Sequence, residues 1–229
     1  MPQFVGGTSA LVGRSFEEAS SSDSSYKSTT STDTPLAAMA EAFEELSRSL
    51  QSKDLRLAPF CSACALVSVL FSFLGFAFKF AEAEYVSKVH SLLEASKTYD
   101  TLNRIIDHDV EHNIVRTPGS HARNLRRVRQ GLGLIQAIFE EFLTTNDCSL
   151  RTAASTAYSQ VCAPYHTWTV RKAVFAGMYA LPTRDQLIAK LKETDFSVGM
   201  EMRRYIEASR PIINYIDDLY ISRDIKLDW

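Results

Sequence analysis

Glycine and proline are scarce, nine and seven among 229 residues, which counts against an all-β chain built on many tight turns. Cysteine is scarcer still: there are four, two of them inside an apolar run. That is too few for the disulfide framework of a secreted domain, and a reducing compartment is the better expectation. An excess of one charge is also missing, since 25 basic and 27 acidic residues leave a net −2. A whole-surface electrostatic grip on nucleic acid needs a basic surplus. Residues 1–15 lack the basic start and long apolar core of a signal peptide. What is present is an ordinary globular balance, 45% hydrophobic and 23% charged.

The first 35 residues read as a tail. Residues 20–34, SSSDSSYKSTTSTDT, contain 11 Ser or Thr in 15, and such a stretch buries too little apolar area to offset chain ordering. A Ser-rich chloroplast transit peptide is the other reading, against which Glu17, Glu18, Asp23 and Asp33 count. One domain is expected over 36–229.

From Pro35 onward apolar residues recur at helical spacing, with no strand-like alternation and no internal repeat. Helices are expected over 36–51 (Met39, Phe43, Leu46 and Leu50 on one stripe), within 60–95, and over 98–115 (Tyr99, Leu102, Ile106 and Val110). Residues 121–144 carry Leu125, Val128, Leu132, Ile135, Phe139 and Phe142 on one face. Further helices are expected over 150–161, 164–179 with Pro164 at the start, 183–193 with Thr183 as cap, and one or two over 196–221 around Pro211. The fold class is all-α. Residues 57–78 carry no charge over 22 positions, long enough to cross a bilayer, so an integral membrane protein anchored there is the alternative expectation. Pro59, Ser62, Ser68, Ser72 and Gly75 dilute that signal, and a helix apolar all round also suits the centre of a helical core.

Five constellations could carry chemistry. His108–His112, HDVEH, matches the inverted zinc-protease pattern, but both histidines lie opposite Leu102, Ile106 and Val110 and are expected to face solvent, without the shelter and third ligand a catalytic zinc needs. Cys61 and Cys64 sit in an apolar helix with no second pair, and buried thiols are expected there. Glu84 and Lys88 are four apart, either an exposed ion pair or a polar anchor at the mouth of an apolar core. Arg123, Arg126, Arg127 and Arg129 crowd a helix start, where cations oppose the helix dipole. An anionic ligand, a solvated basic patch and nucleic acid are the three readings, and no aromatic interleaving favours the last. At 100° per residue, Arg123 and Arg127 share one side of the helix and Arg126 points away from the apolar face. In APYHTW, His166 falls just inside the helix expected from Pro164, and Trp168 is an amphipathic ring suited to core or membrane interface.

Three separated blocks, FLGFAFKFAEAEYVSKV (73–89), GSHARNLRRVRQGL (119–132) and APYHTWTVRKAVFAGMYALPTR (163–184), together with IKLDW (225–229), resemble the glycolipid transfer protein superfamily. They look most like its plant branch, the accelerated-cell-death-type ceramide-1-phosphate transfer proteins. The resemblance runs over about residues 40–229. It implies a two-layer helical sandwich that holds one sphingolipid, headgroup at the surface and chains between the layers, and moves it between membranes as a cytosolic monomer. No catalytic residue, cofactor or metal is implied. Lys88, Arg123 and Arg127 would ligate phosphate, His166 the amide carbonyl, and Glu84 the amide N–H. Trp168 matches a position tied to membrane docking. Lys88 and Arg127 stand where the glycolipid branch has Asn and a sugar-stacking Trp, so phosphate rather than sugar is implied. Glu84 departs from the family aspartate by one methylene, which bears on lipid depth, affinity and sphingolipid preference. The branch is linked to restraint of programmed cell death.

Overall fold

The computed structural model describes residues 34–50, 54–75, 78–145 and 149–229. Apart from Thr34 and Pro35, the expected tail lies outside them. The described residues contain helices α1 (Pro35–Ser49), α2 (Leu57–Phe73), α3 (Lys79–Ala95), α4 (Leu102–Glu111), α5 (His121–Thr144), α6 (Leu150–Val161), α7 (Trp168–Gly177), α8 (Arg184–Leu191) and α9 (Asp195–Ile221), and no strand.

Helix starts follow cap chemistry. The Thr34 hydroxyl accepts the Ala37 N–H, with Pro35 in the first turn, and Thr183 with Gln186 and Thr194 with Ser197 form reciprocal capping boxes on α8 and α9. α1 packs on α9 and α2, α2 on α3, α3 on α5, and α5 on α9. The α1–α2–α3 side thus faces the α5–α9 side in a two-layer, all-α sandwich over one apolar interior, with α4 on α5 and α9, α6 on α5, and α8 on α2. Every residue of the expected α5 stripe, from Leu125 to Phe142, is buried.

Three expectations change, and the one or two helices expected over 196–221 resolve to one. The 57–78 segment is not a membrane span. α2 stops after 17 residues, the chain turns at Gly75 with φ +96°, and among the described residues no helix is long and apolar enough to cross a membrane. Instead Phe60, Cys64 and Val67 lie in the core, the other use of a helix apolar on most sides. α4 is shorter than expected and rotated: Leu102, Ile105, Ile106 and Asp109 face inward while Val110 is 41% exposed. The buried Asp109 carboxylate accepts the Ala122 N–H at 2.7 Å and fixes that rotation. The helix after Pro164 begins only at Trp168, because the Thr167 hydroxyl caps it. Pro211 does not split α9; Ile212, Ile213 and Ile216 are buried after it, and packing on both sides outweighs the roughly 3 kcal/mol a helical proline costs. Cys61, Cys64 and Cys162 are buried free thiols, and burial pushes Cys61 up to about 12.

Candidate functional site

Two contacts set the register of α3 against α5. The Asn124 amide donates to Ser91 Oγ at 2.9 Å. Seven residues on, Gly131 meets Tyr85 so closely that an added Cβ would lie 2.6 Å from the ring. Residues rising through α3 therefore meet residues falling through α5, and the pair is antiparallel. Lys88 lies one turn from both Tyr85 and Ser91, and Arg127 one turn from both Asn124 and Gly131, so the two are level along the seam. Tyr85 is itself held, its hydroxyl donating to the Cys64 carbonyl at 3.2 Å. Gly131→Ala should therefore destabilise the protein by about 1–3 kcal/mol, read as a lowered melting temperature with the helix content of the folded state retained.

On α3, Lys88 Nζ stands 3.4 Å from Glu84 Oε2, with side chains 29% and 57% exposed respectively. On α5, the four arginines divide in two. Arg126 is buried, lies 3.4 Å from Asp217 of α9, and donates to the Leu227 carbonyl; Arg129 also pairs with Asp217. These two are structural, so the cluster is not a solvated basic patch. Arg123 and Arg127 form no ion pair among the described residues. Arg123 donates to the Arg116 carbonyl at 2.7 Å, and Arg127 to Gln130 Oε1 at 2.7 Å. Burial, with the charges of Arg123 and Arg126, holds the Arg127 pKa below its ordinary value, the signature of a cation among cations in a partly desolvated place.

His166 is not inside a helix. It sits in extended backbone between a short 3₁₀ turn (Ala163–Tyr165) and α7, its Nδ1 2.8 Å from the Tyr158 hydroxyl. Burial and the Arg127 charge lower its pKa from 6.5, which sets His166 within electrostatic reach of Arg127. The unfolded chain takes the proton first, so the stability this contributes is whole above the ordinary value and fades as pH falls below it. Burial raises the neighbouring Cys162 thiol to about 11, against the pull of Arg127, Arg129 and Arg126. Arg123, Arg127 and His166 thus belong to one region spanning α5 and the α6–α7 connection, and Lys88, with the more exposed Glu84, stands level with it on α3. Trp168 stands outside it in the first turn of α7, 66% exposed, with Lys172 Nζ 5.6 Å from its ring centroid.

Gln130 and Tyr158 enter the site unforeseen. Gln130 follows Arg127 by three, a spacing that makes helical neighbours, so its contact was available to sequence reasoning. Its Nε2 is buried without a partner. Tyr158 carried no such signal. Beyond the cations, an apolar cavity of about 20 Å³ lies between Leu70, Leu74, Ile138, Phe142, Leu187 and Met202, room for about one water. Its α5 wall opens at Ile135, eight residues or about 12 Å along the helix from Arg127.

Residues 55–193 match the family described as glycolipid transfer protein. An Arabidopsis thaliana protein named as an accelerated-cell-death 11 homologue is 64% identical over 204 residues, covering 86% of this chain and 89% of the relative. Accelerated cell death 11 of the same plant is 44% identical over 86% of this chain and 97% of its own. A crystal structure of a point mutant of that second protein with C12 ceramide-1-phosphate superposes with a TM-score of 0.84 at 44% identity, covering 86% of this chain and 99% of the other. On the matched residues, the identity and the shared architecture, this chain belongs to the glycolipid transfer protein family.

Proposed function

We propose that this protein carries ceramide-1-phosphate, or a close phosphosphingolipid, between membranes without altering it chemically. The observation that carries the reading is the division of the α5 arginines: Arg126 and Arg129 share Asp217, whereas Arg123 and Arg127 pair with no carboxylate among the described residues. Arg127 is level with Lys88 across the seam. A phosphate monoester bears about −1.5 to −2 charges near neutral pH, and two guanidinium forks with one ammonium match its charge and its oxygens.

The remaining roles are those that the family resemblance implies. If the Tyr158 hydroxyl donates to His166 Nδ1, the imidazole proton sits on Nε2 and can be donated to the amide carbonyl of a ceramide. Glu84 would accept the amide N–H, and Trp168 would rest its exposed indole at the membrane interface during exchange. No nucleophile is primed here, because the Cys162 thiol near 11 and the Tyr158 hydroxyl near 12 both keep their protons at neutral pH. The chains would enter by parting α2 from α5 and α8. A cytosolic monomer that touches membranes transiently suits this cycle, and the names of the Arabidopsis relatives suggest cell-death control as its setting.

Labelled ceramide-1-phosphate and a glycosylceramide, offered side by side in donor vesicles, test the reading. The phosphate lipid should move and the glycolipid should not; equal rates, or no transfer of either, overturn it. Glu84→Asp should raise transfer of the phosphate lipid roughly two- to fivefold. The shorter side chain draws its charge away from the phosphate and releases Lys88 from a half-exposed ion pair of about 0.2–1 kcal/mol.

A further inference from the structure

The HDVEH pattern does not assemble in the structure, since Glu111 and His112 are exposed. A different trio does. His108 and Asp109 at the end of α4 meet His121, the first residue of α5, and one ligand atom from each lies within 4.8 Å of the others. Two observations set this trio apart from an ordinary polar contact. Asp109 is fully buried, one oxygen taking the Ala122 N–H at 2.7 Å and the other facing His108 Nδ1 at 3.1 Å. A buried carboxylate is costly unless opposite charge compensates it. His121 Nδ1 is buried with no hydrogen-bond partner, and a buried ring nitrogen without a partner calls for an explanation. Tyr99 walls the trio, its ring centroid 5.2 Å from that of His108 and 5.5 Å from that of His121.

The geometry points to a divalent transition-metal site of the zinc class on His108, Asp109 and His121. Two imidazoles and one carboxylate are a borderline donor set that suits zinc, whereas calcium and magnesium ask for shells of oxygen. Zinc bonds of about 2.0–2.1 Å place tetrahedral ligands about 3.3 Å apart. The trio needs a small closure to reach that, and His108, 30% exposed at its side chain, has room to turn. Water, reaching the ion past the part-exposed His108, completes the shell. Such an ion ties the end of α4 to the first turn of α5, where Arg123 is braced by the Arg116 carbonyl. Its role there is structural and does not depend on which lipid is carried.

Calorimetric titration of the chelator-stripped full chain with Zn²⁺ alone tests the site, with thermal melting and the visible spectrum of the Co²⁺ form as further readouts. One ion per chain, a raised melting temperature, and tetrahedral cobalt bands without a sulfur charge-transfer band are expected. His108→Gln and His121→Gln should each weaken binding by at least about tenfold, and His90→Gln, on an exposed position of α3, should leave it unchanged. Should His121→Gln fail to fold, His108→Gln and the cobalt spectrum decide alone. No saturable binding, or binding that the His108 and His121 variants leave intact, overturns the site.

Discussion

Arg127→Ala is expected to cut transfer of ceramide-1-phosphate by roughly 30- to 150-fold while the helical fold stays intact. Losing charge-assisted hydrogen bonds to a partly desolvated phosphate corresponds to about 2–3 kcal/mol. The fold should tolerate the change because Arg127 holds no ion pair; its one side-chain bond is to Gln130. The variant also removes a cation from beside Arg123 and Arg126, which already depress it. The same substitution carries an internal check. His166 is held below 6.5 partly by the Arg127 charge, so its NMR titration midpoint should rise in the variant. Transfer at the wild-type rate would remove Arg127 from the phosphate site, and an unmoved His166 midpoint would contradict their proximity.

Asp217→Ala should be the most damaging single change away from the lipid. Arg126, 3% exposed, would be left buried opposite Arg129 with no carboxylate between them, and its pKa is already lowered by burial and by the Arg129 charge. Breaking one side of a buried ion pair costs about 3 kcal/mol or more, or roughly 6–12 °C in Tm for a domain of this size. Arg126→Met in the same background should recover part of the loss, because it removes the uncompensated charge and keeps the packing volume. A double-mutant cycle by thermal or urea unfolding should return a coupling of at least about 1 kcal/mol; strict additivity would show that the Arg126–Asp217 contact contributes nothing.

The two arginines show what could be read in the sequence and what could not. α5 was legible along its whole length, since its apolar stripe repeats over six residues; the Ser120 hydroxyl that caps it is what the structure adds. The same wheel turns Arg126 away from that stripe, yet Arg126 is buried. Periodicity reports one apolar face, whereas α5 lies against α3, α6, α9 and α4 at once. Its partner Asp217 is 91 residues away, beyond any local pattern. Val110 was misplaced for a related reason: a spacing rule ranks a valine above an aspartate for the interior, and the Ala122 N–H reverses that ranking by giving Asp109 a buried donor. Sequence reasoning puts His166 inside a helix, and the structure puts it in extended backbone ahead of one. Pro164 signalled a helix start, but Thr167 offers the hydroxyl that satisfies the Val170 N–H, and the helix begins there. The expected cation trio and the departure at Glu84 rest on blocks whose spacing resembles a family; the Gln130 contact with Arg127 follows from helical spacing alone, and only the Tyr158 contact with His166 needed three dimensions.

The apolar wall shared by Phe142, Leu187 and Met202 is also a structural member of the domain. Phe142 is 2% exposed, and the Arg184 guanidinium lies 3.9 Å from its ring centroid. Phe142→Ala should therefore cost about 3–5 kcal/mol, so any widening of this wall by mutation trades cargo space against thermal resistance.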